Sequence, residues 1–249
     1  MIYAIGDIHG HLDQLTRAHE LIEADRASEG VGAAPVVHMG DLVDRGPNSK
    51  GVIQFLIDGL ARGEDWLVLR GNHDHMFVDF AKGGDGTSDR LRPGVTWQSE
   101  IMGGAATLAS YGAKRKMLER KAGFVARARR AIPKEHVEFL SSLTYWLRAE
   151  GKIFVHAGIR PGFPIDAQDE EDLIWIRDEF LWHMGPHEAL IVHGHTPVEE
   201  PTHYGNRINI DTGAGWGNDL VPVVLDGQDC FALTADGRVP VKSPDKYYQ

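Results

Sequence analysis

Cysteine is what this sequence has least of: Cys230 stands alone in 249 residues, so no disulfide can close within the chain. Stability must come from buried apolar surface, and a chain of this length can supply it without covalent staples. Long apolar runs are missing too. None approaches the roughly 20 residues that cross a bilayer, and Met1-Ile2-Tyr3-Ala4-Ile5 passes straight into Gly6-Asp7 without the basic and apolar regions of a secretory signal. We therefore expect a soluble, cytoplasmic protein with no membrane partner. Positive charge is short as well: 26 Lys and Arg face 36 Asp and Glu, a formal net charge of −10. That balance argues against broad affinity for nucleic acid, though not against a local cationic pocket.

What is present is a succession of short apolar stretches, each ending in a glycine-flanked turn that carries polar side chains. The chain is organised around one of them, Gly40-Asp41-Leu42-Val43-Asp44-Arg45-Gly46, which follows Val36-Val37. Side chains at the carboxyl end of a strand face the crevice where open α/β sheets bind ligands. There Asp41 is a hard oxygen donor able to touch two metal ions, with Asp44 and Arg45 one turn further on. Taken alone, the stretch reads equally well as a strand followed by an acidic turn. Similar stretches elsewhere decide between the two. Ile2 to Ile5 predicts a strand ending at Gly6-Asp7-Ile8-His9-Gly10, where Asp7 and His9, two apart, point the same way. Trp66 to Leu69 predicts another, ending at Arg70-Gly71-Asn72-His73-Asp74. Between them, Leu12, Leu15, Ala18, His19 and Ile22, and then Val52, Ile53, Phe55, Leu56 and Leu60, recur at helical spacing. His19 within its stripe reads as a packed histidine and not a ligand. The pattern is strand, turn, helix in repetition, a sheet with helices on its faces.

From Lys82 to about Arg130 no strand is evident. Helical patterns around Trp97 to Tyr111 and Lys114 to Ala131 predict a mostly helical insertion, at about 82–130, that covers one rim of the site within a single domain, 1–249. Its basic runs, Lys114-Arg115-Lys116 and Arg127 to Arg130, read as a solvated helical face and not as a surface for an acidic partner. Pro133 opens a helix carrying Val137, Phe139 and Leu140. Thr144 to Arg148 and Lys152 to His156 predict a hairpin turning at Glu150-Gly151, and Leu173 to Leu181 a helix or helical turn. Ala189 to Val192 predicts a strand ending at His193-Gly194-His195-Thr196-Pro197. Strands at Asn206 to Ile210, Leu220 to Leu225 and Cys230 to Leu233 follow.

Asp7, His9, Asp41, Asn72, His156 and His195 thus each sit just past a predicted strand. A mixed set of oxygen and imidazole donors suits Mn²⁺, Fe or Zn²⁺ better than Ca²⁺ or a soft-metal site. Two carboxylates against two divalent ions leave a net positive charge, which attracts a phosphate dianion in spite of the acidic chain.

Gly6-Asp7-Ile8-His9-Gly10, Gly40-Asp41-Leu42-Val43-Asp44-Arg45-Gly46 and Gly71-Asn72-His73-Asp74 resemble the three successive motifs of the calcineurin-like metallophosphoesterases. More narrowly, the chain is similar to the phosphoprotein phosphatase branch and its bacterial and phage serine/threonine enzymes. His156-Ala157-Gly158 and Gly194-His195-Thr196-Pro197 match the two later histidine motifs, so the likeness runs from about residue 2 to 215. It implies an α/β fold with α+β character: a central β-sandwich flanked by helices in four layers. It implies two divalent metal ions, Mn²⁺ foremost with Fe or Zn²⁺ as alternatives. Asp7 and His9 would hold the first, Asp41 would bridge, and Asn72, His156 and His195 would complete the second. A metal-bridging hydroxide would attack phosphorus directly. His73 would protonate the leaving oxygen, with Asp44 against its other ring nitrogen, a pairing that keeps an imidazole protonated and correctly turned. Arg45 and Arg177, the latter in Trp175-Ile176-Arg177, resemble the two phosphate-gripping arginines.

Pro197 stands where many other metallophosphoesterases have a further histidine, so the first site has fewer protein ligands. His193, His11 and His75 match no ligand position, and Arg160 is a weaker phosphate contact than Arg177. The implied activity is a phosphomonoesterase whose substrate is a phosphoserine or phosphothreonine protein or a small phosphoester. The alternative within the family is a symmetrical bis(5′-nucleosyl)-tetraphosphatase, against which Asp44 counts, since that branch resembles Gly-Asp-Leu-Val-Ala-Arg-Gly here. A catalytically dead metal-binding scaffold is the alternative outside enzymes, disfavoured by the intact set of ligands, acid and arginines.

Overall fold

The structure, a computed structural model, describes residues 1–242, so the tail 243–249 of the span read as one domain lies outside the described residues. In chain order the first half comprises β1 (Ile2–Ile5), α1 (Leu12–Glu29), β2 (Val36–His38), α2 (Ser49–Ala61), β3 (Trp66–Val68), α3 (Asn72–Lys82), α4 (Gly104–Ser110), α5 (Lys121–Ala131) and α6 (Lys134–Ser142). The second comprises β4 (Trp146–Ala149), β5 (Lys152–Val155), α7 (Glu170–Trp175), α8 (Asp178–Leu181), β6 (Leu190–His193), β7 (Thr202–His203), β8 (Arg207–Asn209), β9 (Val223–Asp226), β10 (Asp229–Thr234) and β11 (Gly237–Pro240).

Six strands form one sheet in the order β11-β10-β9-β1-β2-β3, and five form a second in the order β4-β5-β6-β8-β7. The two-residue period of a strand sends alternate side chains to opposite faces, and it decides the layers. Ile2 and Ala4 of β1, Val37 of β2 and Val223 and Leu225 of β9 meet Phe154, Val192 and Ile208 of the second sheet in one core. Cys230 is packed there, and burial raises its thiol pKa. Tyr3, Ile5, Val36 and Val224 face the other way, onto α1, α2 and α3. On the far side, Ile153, Val155 and Ile191 pack against Leu173, Ile176 and Phe180. Helices, sheet, sheet and helices therefore make four layers, as the sequence resemblance implies.

Strands β1, β2 and β3 run parallel, as do β5, β6 and β8. Their carboxyl ends deliver Asp7, Asp41, Asn72, His156 and His195 to one edge of the sandwich, the side on which such sheets bind ligands. The hairpin joining β4 to β5 turns at Glu150 (φ 50°) and Gly151 (φ 70°), both left-handed as its tight two-residue turn requires.

Three helices are shorter than the periodicity predicts. The segment from Trp97 becomes helical only at Gly104, because Gly103 (φ 86°) breaks the backbone, and its N–H and that of Met102 both donate to Ser99 O. Helix α5 starts at Lys121, not Lys114, since Glu119 folds back onto Lys116 N and Arg127 and holds the preceding residues in turns. The 173–181 stretch splits into α7 and α8 at Arg177 (φ −131°, ψ −97°). Strands β7 and β11 were not legible: the first has two residues and the second lies on an exposed edge.

Candidate active site

The turns after β1, β2 and β3 are laced together through the backbone. Ile8 N and His9 N donate to Asp41 O (3.1 and 2.8 Å), and Gly10 N donates to Leu42 O (2.9 Å). Buried Asp74 accepts from Leu42 N and Gly71 N, each at 2.9 Å, and so pins the second turn to the third. Of the six non-glycine described residues with left-handed φ, five belong to these turns or to the one after β6: His9, Asp41, Asp44, Arg45 and His195. Each such conformation costs about 1–3 kcal/mol, and it persists only where the surroundings enforce it. Two glycines admit the carboxylates. A Cβ at Gly71 would overlap Asp41 Oδ1, and one at Gly194 would overlap Asp7 Oδ1.

Two buried groups of metal-donor residues result, His9-Asp41-His73 and Asp41-His156-His195, each with its ligand atoms within 4.8 Å of one another. Asp41 is common to both. His9 Nδ1 donates to Val43 O and His156 Nδ1 to Met39 O, both at 2.9 Å. These bonds fix the tautomers and turn each Nε2 inward with its lone pair available to a metal. Asn72 Oδ1 lies 3.0 Å from His156 Nε2, with Asp41 Oδ1 3.4 Å from the same nitrogen. His195 Nε2 is buried without a hydrogen-bond partner. An orphaned imidazole nitrogen beside a carboxylate and a second inward Nε2 fits a divalent cation well. Asp7 lies slightly apart: its carboxylate accepts from His195 N (3.0 Å to Oδ2) and shares a hydrogen bond with Asp211.

The electrostatics agree with a cation site. Burial, the largest influence on Asp41, raises its pKa, and the carboxyl is drawn below its usual range only to the extent that His156, His73, His9 and His195 carry charge. Burial keeps His9, His156 and His195 below the ordinary imidazole range, that is, neutral and able to ligate. Burial, then Asp211 and Asp41, raise Asp7 well above its usual value, and burial pushes Asp211 up to about 6. Crowded carboxylates of this kind are relieved by positive charge.

His73 Nδ1 donates to Asp44 Oδ2 at 2.7 Å, leaving Nε2 toward the donor groups, 3.9 Å from Asp41 Oδ2. Arg45 Nη2 is 3.1 Å from His73 Nε2, while Nη1 contacts His9 Nε2 and the guanidinium stacks on Trp216 at 4.4 Å. Arg177 hydrogen-bonds Thr196 Oγ1 (3.1 Å) and His195 O (3.4 Å). Arg45, His73, Asn72, Asp41, His195 and Arg177 all line one cleft of about 450 Å³.

Other residues weighed from sequence lie elsewhere. His193 turns away, with Nε2 against Arg207 and Nδ1 against Gly194 O. Arg160 is bound to Asp172 (2.7 Å) and Glu179 (3.8 Å) and does not line the cleft. His11 occupies the N-cap position of α1 without a side-chain capping bond, and His75 does not line the cleft. Several residues at or behind the site were missed: Trp97, Thr107, Asp211, Trp216, and Arg90 and Arg92 of the cleft wall. Trp97 and Thr107 come from the segment expected only to cover a rim, and both donate to Asp44. No spacing rule links them to it. Asp211, just past β8, repeats the strand-end placement of the ligands and was findable on that ground.

The chain spans most of the length of several curated relatives. It is 28% identical over 242 residues to an asymmetrical bis(5′-nucleosyl)-tetraphosphatase PrpE of Bacillus thuringiensis (strain Al Hakam), covering 87% of each. It is likewise 28% identical to the enzyme of the same name from Anoxybacillus flavithermus (strain DSM 21510 / WK1), covering 88% of this chain and 89% of that one. A solved structure provisionally described as a diadenosine tetraphosphatase superposes with a TM-score of 0.64 at 20% identity, covering 98% of this chain and 94% of the other. A cold-active protein tyrosine phosphatase does so at 0.60 and 17%, covering 97% and 78%. At such identities these structures speak for the fold. The model of the calcineurin-like phosphoesterases matches residues 1–219, most of the chain and every strand-end turn described above. This protein belongs to that family.

Proposed function

We propose that the protein is a dinuclear metal-dependent phosphatase acting on phosphomonoesters, phosphoserine and phosphothreonine side chains among them. The observation that carries this reading is Asp41, shared by two buried donor groups with His73 and Arg45 directed at the same space. Asp7 and His9 would hold one ion and Asn72, His156 and His195 the other, with Asp41 between. Mn²⁺ suits these donors best, and Fe or Zn²⁺ also fits. Two bound divalent ions would supply positive charge and an acidified water. Arg45 and Arg177 would grip the non-bridging phosphate oxygens through charge-assisted bonds. His73 would pass a proton from Nε2 to the leaving oxygen as its bond to phosphorus breaks. Asp44 holds that ring in place through Nδ1. Such an acid matters most when the leaving group is an alkoxide, which favours monoesters of alcohols.

A second reading, asymmetrical cleavage of dinucleoside tetraphosphates, is favoured by the activity for which the relatives are named, which differs from the symmetrical cleavage weighed from sequence. One experiment addresses both. With Mn²⁺ supplied, His73→Asn should lose about 10²–10⁴-fold in kcat on a phosphoserine peptide. It should lose clearly less on p-nitrophenyl phosphate, whose leaving group needs little protonation. Equal losses on the two would remove His73 as the acid. Wild-type turnover of diadenosine tetraphosphate to ATP and AMP, well above any monoester activity, would install the second reading.

A further inference from the structure

We infer that Arg92 is a second anion-binding position in the active-site cleft, taking a phosphate of the leaving group beyond the one hydrolysed; this rests on the metal-dependent hydrolase reading above and, within it, favours cleavage of a phosphate chain over a phosphoserine ester. The substrate class it implies is an ester or anhydride carrying a chain of phosphates.

Among the described residues that line the cleft, Arg45, Arg90, Arg92 and Arg177 face one carboxylate, Asp41. Three of these arginines have partners. Arg45 is engaged with His9, His73 and Trp216, and Arg177 with Thr196 and His195 O. Arg90 is neutralised by Asp172 at 2.8 Å and Glu171 at 3.6 Å. Among the described residues, the Arg92 side chain makes no hydrogen bond and no ion pair, and it is exposed on the cleft wall.

The backbone that carries it is nevertheless held in place. Leu91 N donates to Ser88 O and Val95 N to Arg92 O, both at 3.0 Å, so Arg92 sits between two closed turns. Leu91 and Val95 pack on the helix-side core. Arg90 ties the same loop to buried Asp172 of α7, which also accepts from Arg160. A guanidinium with no counter-charge, carried on an anchored loop and facing a cleft, is free to turn its donor fork to an incoming oxyanion. A single monoester phosphate is already served by the donor groups, Arg45 and Arg177. Arg92 has a task only if the substrate brings a second anion.

The test reads inhibition of p-nitrophenyl phosphate turnover by orthophosphate and by tripolyphosphate, with free Mn²⁺ held equal. Wild type should bind tripolyphosphate more tightly. In Arg92→Ala the ratio of the two inhibition constants should collapse by about ten- to hundredfold, with Arg92→Lys in between and unfolding temperatures unchanged. A ratio that stays put in Arg92→Ala, or a wild type that does not favour tripolyphosphate, overturns the inference. If wild type shows no metal-dependent turnover, the hydrolase reading fails by itself. Calorimetric titration of tripolyphosphate into wild type and Arg92→Ala then still decides whether Arg92 binds it, an unchanged affinity being fatal to the inference.

Discussion

Trp97 Nε1 donates to Asp44 Oδ2 at 2.7 Å, the same oxygen that accepts from His73 Nδ1 at 2.7 Å. Thr107 Oγ1 donates to the other oxygen at 2.6 Å. Asp44 is fully buried, so a carboxylate with fewer donors would be costly there. Three donors on two oxygens leave it no freedom to rotate, and the His73 ring inherits that rigidity. The 82–130 segment thus does more than cover a rim: it holds the carboxylate that orients the imidazole.

Trp97→Phe keeps the aromatic packing against Phe77 and Phe80 but deletes the donor to Asp44. Losing one of the two hydrogen bonds to a buried carboxylate oxygen costs about 1.5–3 kcal/mol, or a drop of several degrees in unfolding temperature for a domain of this size. We expect kcat on a phosphoserine peptide to fall about tenfold with metal content unchanged. Loss of stability with undiminished kcat would reduce Trp97 to packing.

Asp41→Asn tests the shared donor. The change removes one negative charge from between both donor groups while preserving shape, and His73 N, which donates to Asp41 Oδ1 at 3.0 Å, keeps an acceptor. Metal analysis after dialysis should show at least one ion weakened, with turnover nearly abolished. Two tightly held ions and ordinary activity in this variant would remove Asp41 from the bridging position.

The parts of fold and site readable from sequence share a physical reason. Strand-end placement is local, so Asp7, His9, Asp41, Asn72, His156 and His195 could be picked out from apolar runs and the turns that end them. The structure brings five of them to inward-facing positions and sets Asp7 against His195 N and Asp211. What was not readable depends on partners far apart in the chain. Trp97 lies 53 residues from Asp44 and Thr107 lies 63 from it, and neither spacing has a period. Helix ends failed for a related reason. The fold-back of Glu119 onto Arg127 overrides a helical composition that by itself looks continuous from Lys114.

Stability toward acid should depend on His19 and His38, whose Nε2 atoms lie 3.1 Å apart beside Trp66, with Phe55 also against His19. That contact needs one donor and one acceptor, so at most one ring can carry an extra proton, and burial disfavours the charged form of either. Burial lowers both pKa values, His19 to about 4. The unfolded chain therefore binds protons first, from about pH 6.5 downward, and the His19 contribution to stability is lost as pH falls from there toward 4. Each such proton contributes a slope of about 1.4 kcal/mol per pH unit. Urea unfolding between pH 7 and 4.5 should show a shallower decline for His19→Phe than for wild type. Parallel declines would show that the pair is not a source of acid sensitivity.

Arg177→Ala separates the two substrate readings. Arg177 reaches the cleft from the break between α7 and α8 and hydrogen-bonds the His195 loop, so its guanidinium is directed by Thr196 Oγ1 and His195 O. Burial draws its pKa below the usual arginine range, and Asp41, Asp7 and Asp211 act in the opposite direction, favouring the cation. A monoester phosphate offers three non-bridging oxygens, enough for the donor groups and a fork from each of Arg45 and Arg177. Losing one charge-assisted bond of about 1.5–3 kcal/mol corresponds to roughly ten- to hundredfold. Phosphopeptide and p-nitrophenyl phosphate hydrolysis should therefore fall together by that factor in kcat/KM, with Arg177→Lys recovering only part because a point charge cannot form the fork. Unchanged metal content would show that the His195 loop has held. If wild type instead strongly prefers diadenosine tetraphosphate, and Arg177→Ala leaves that activity untouched, the monoester reading is wrong and asymmetrical cleavage of the dinucleotide takes its place.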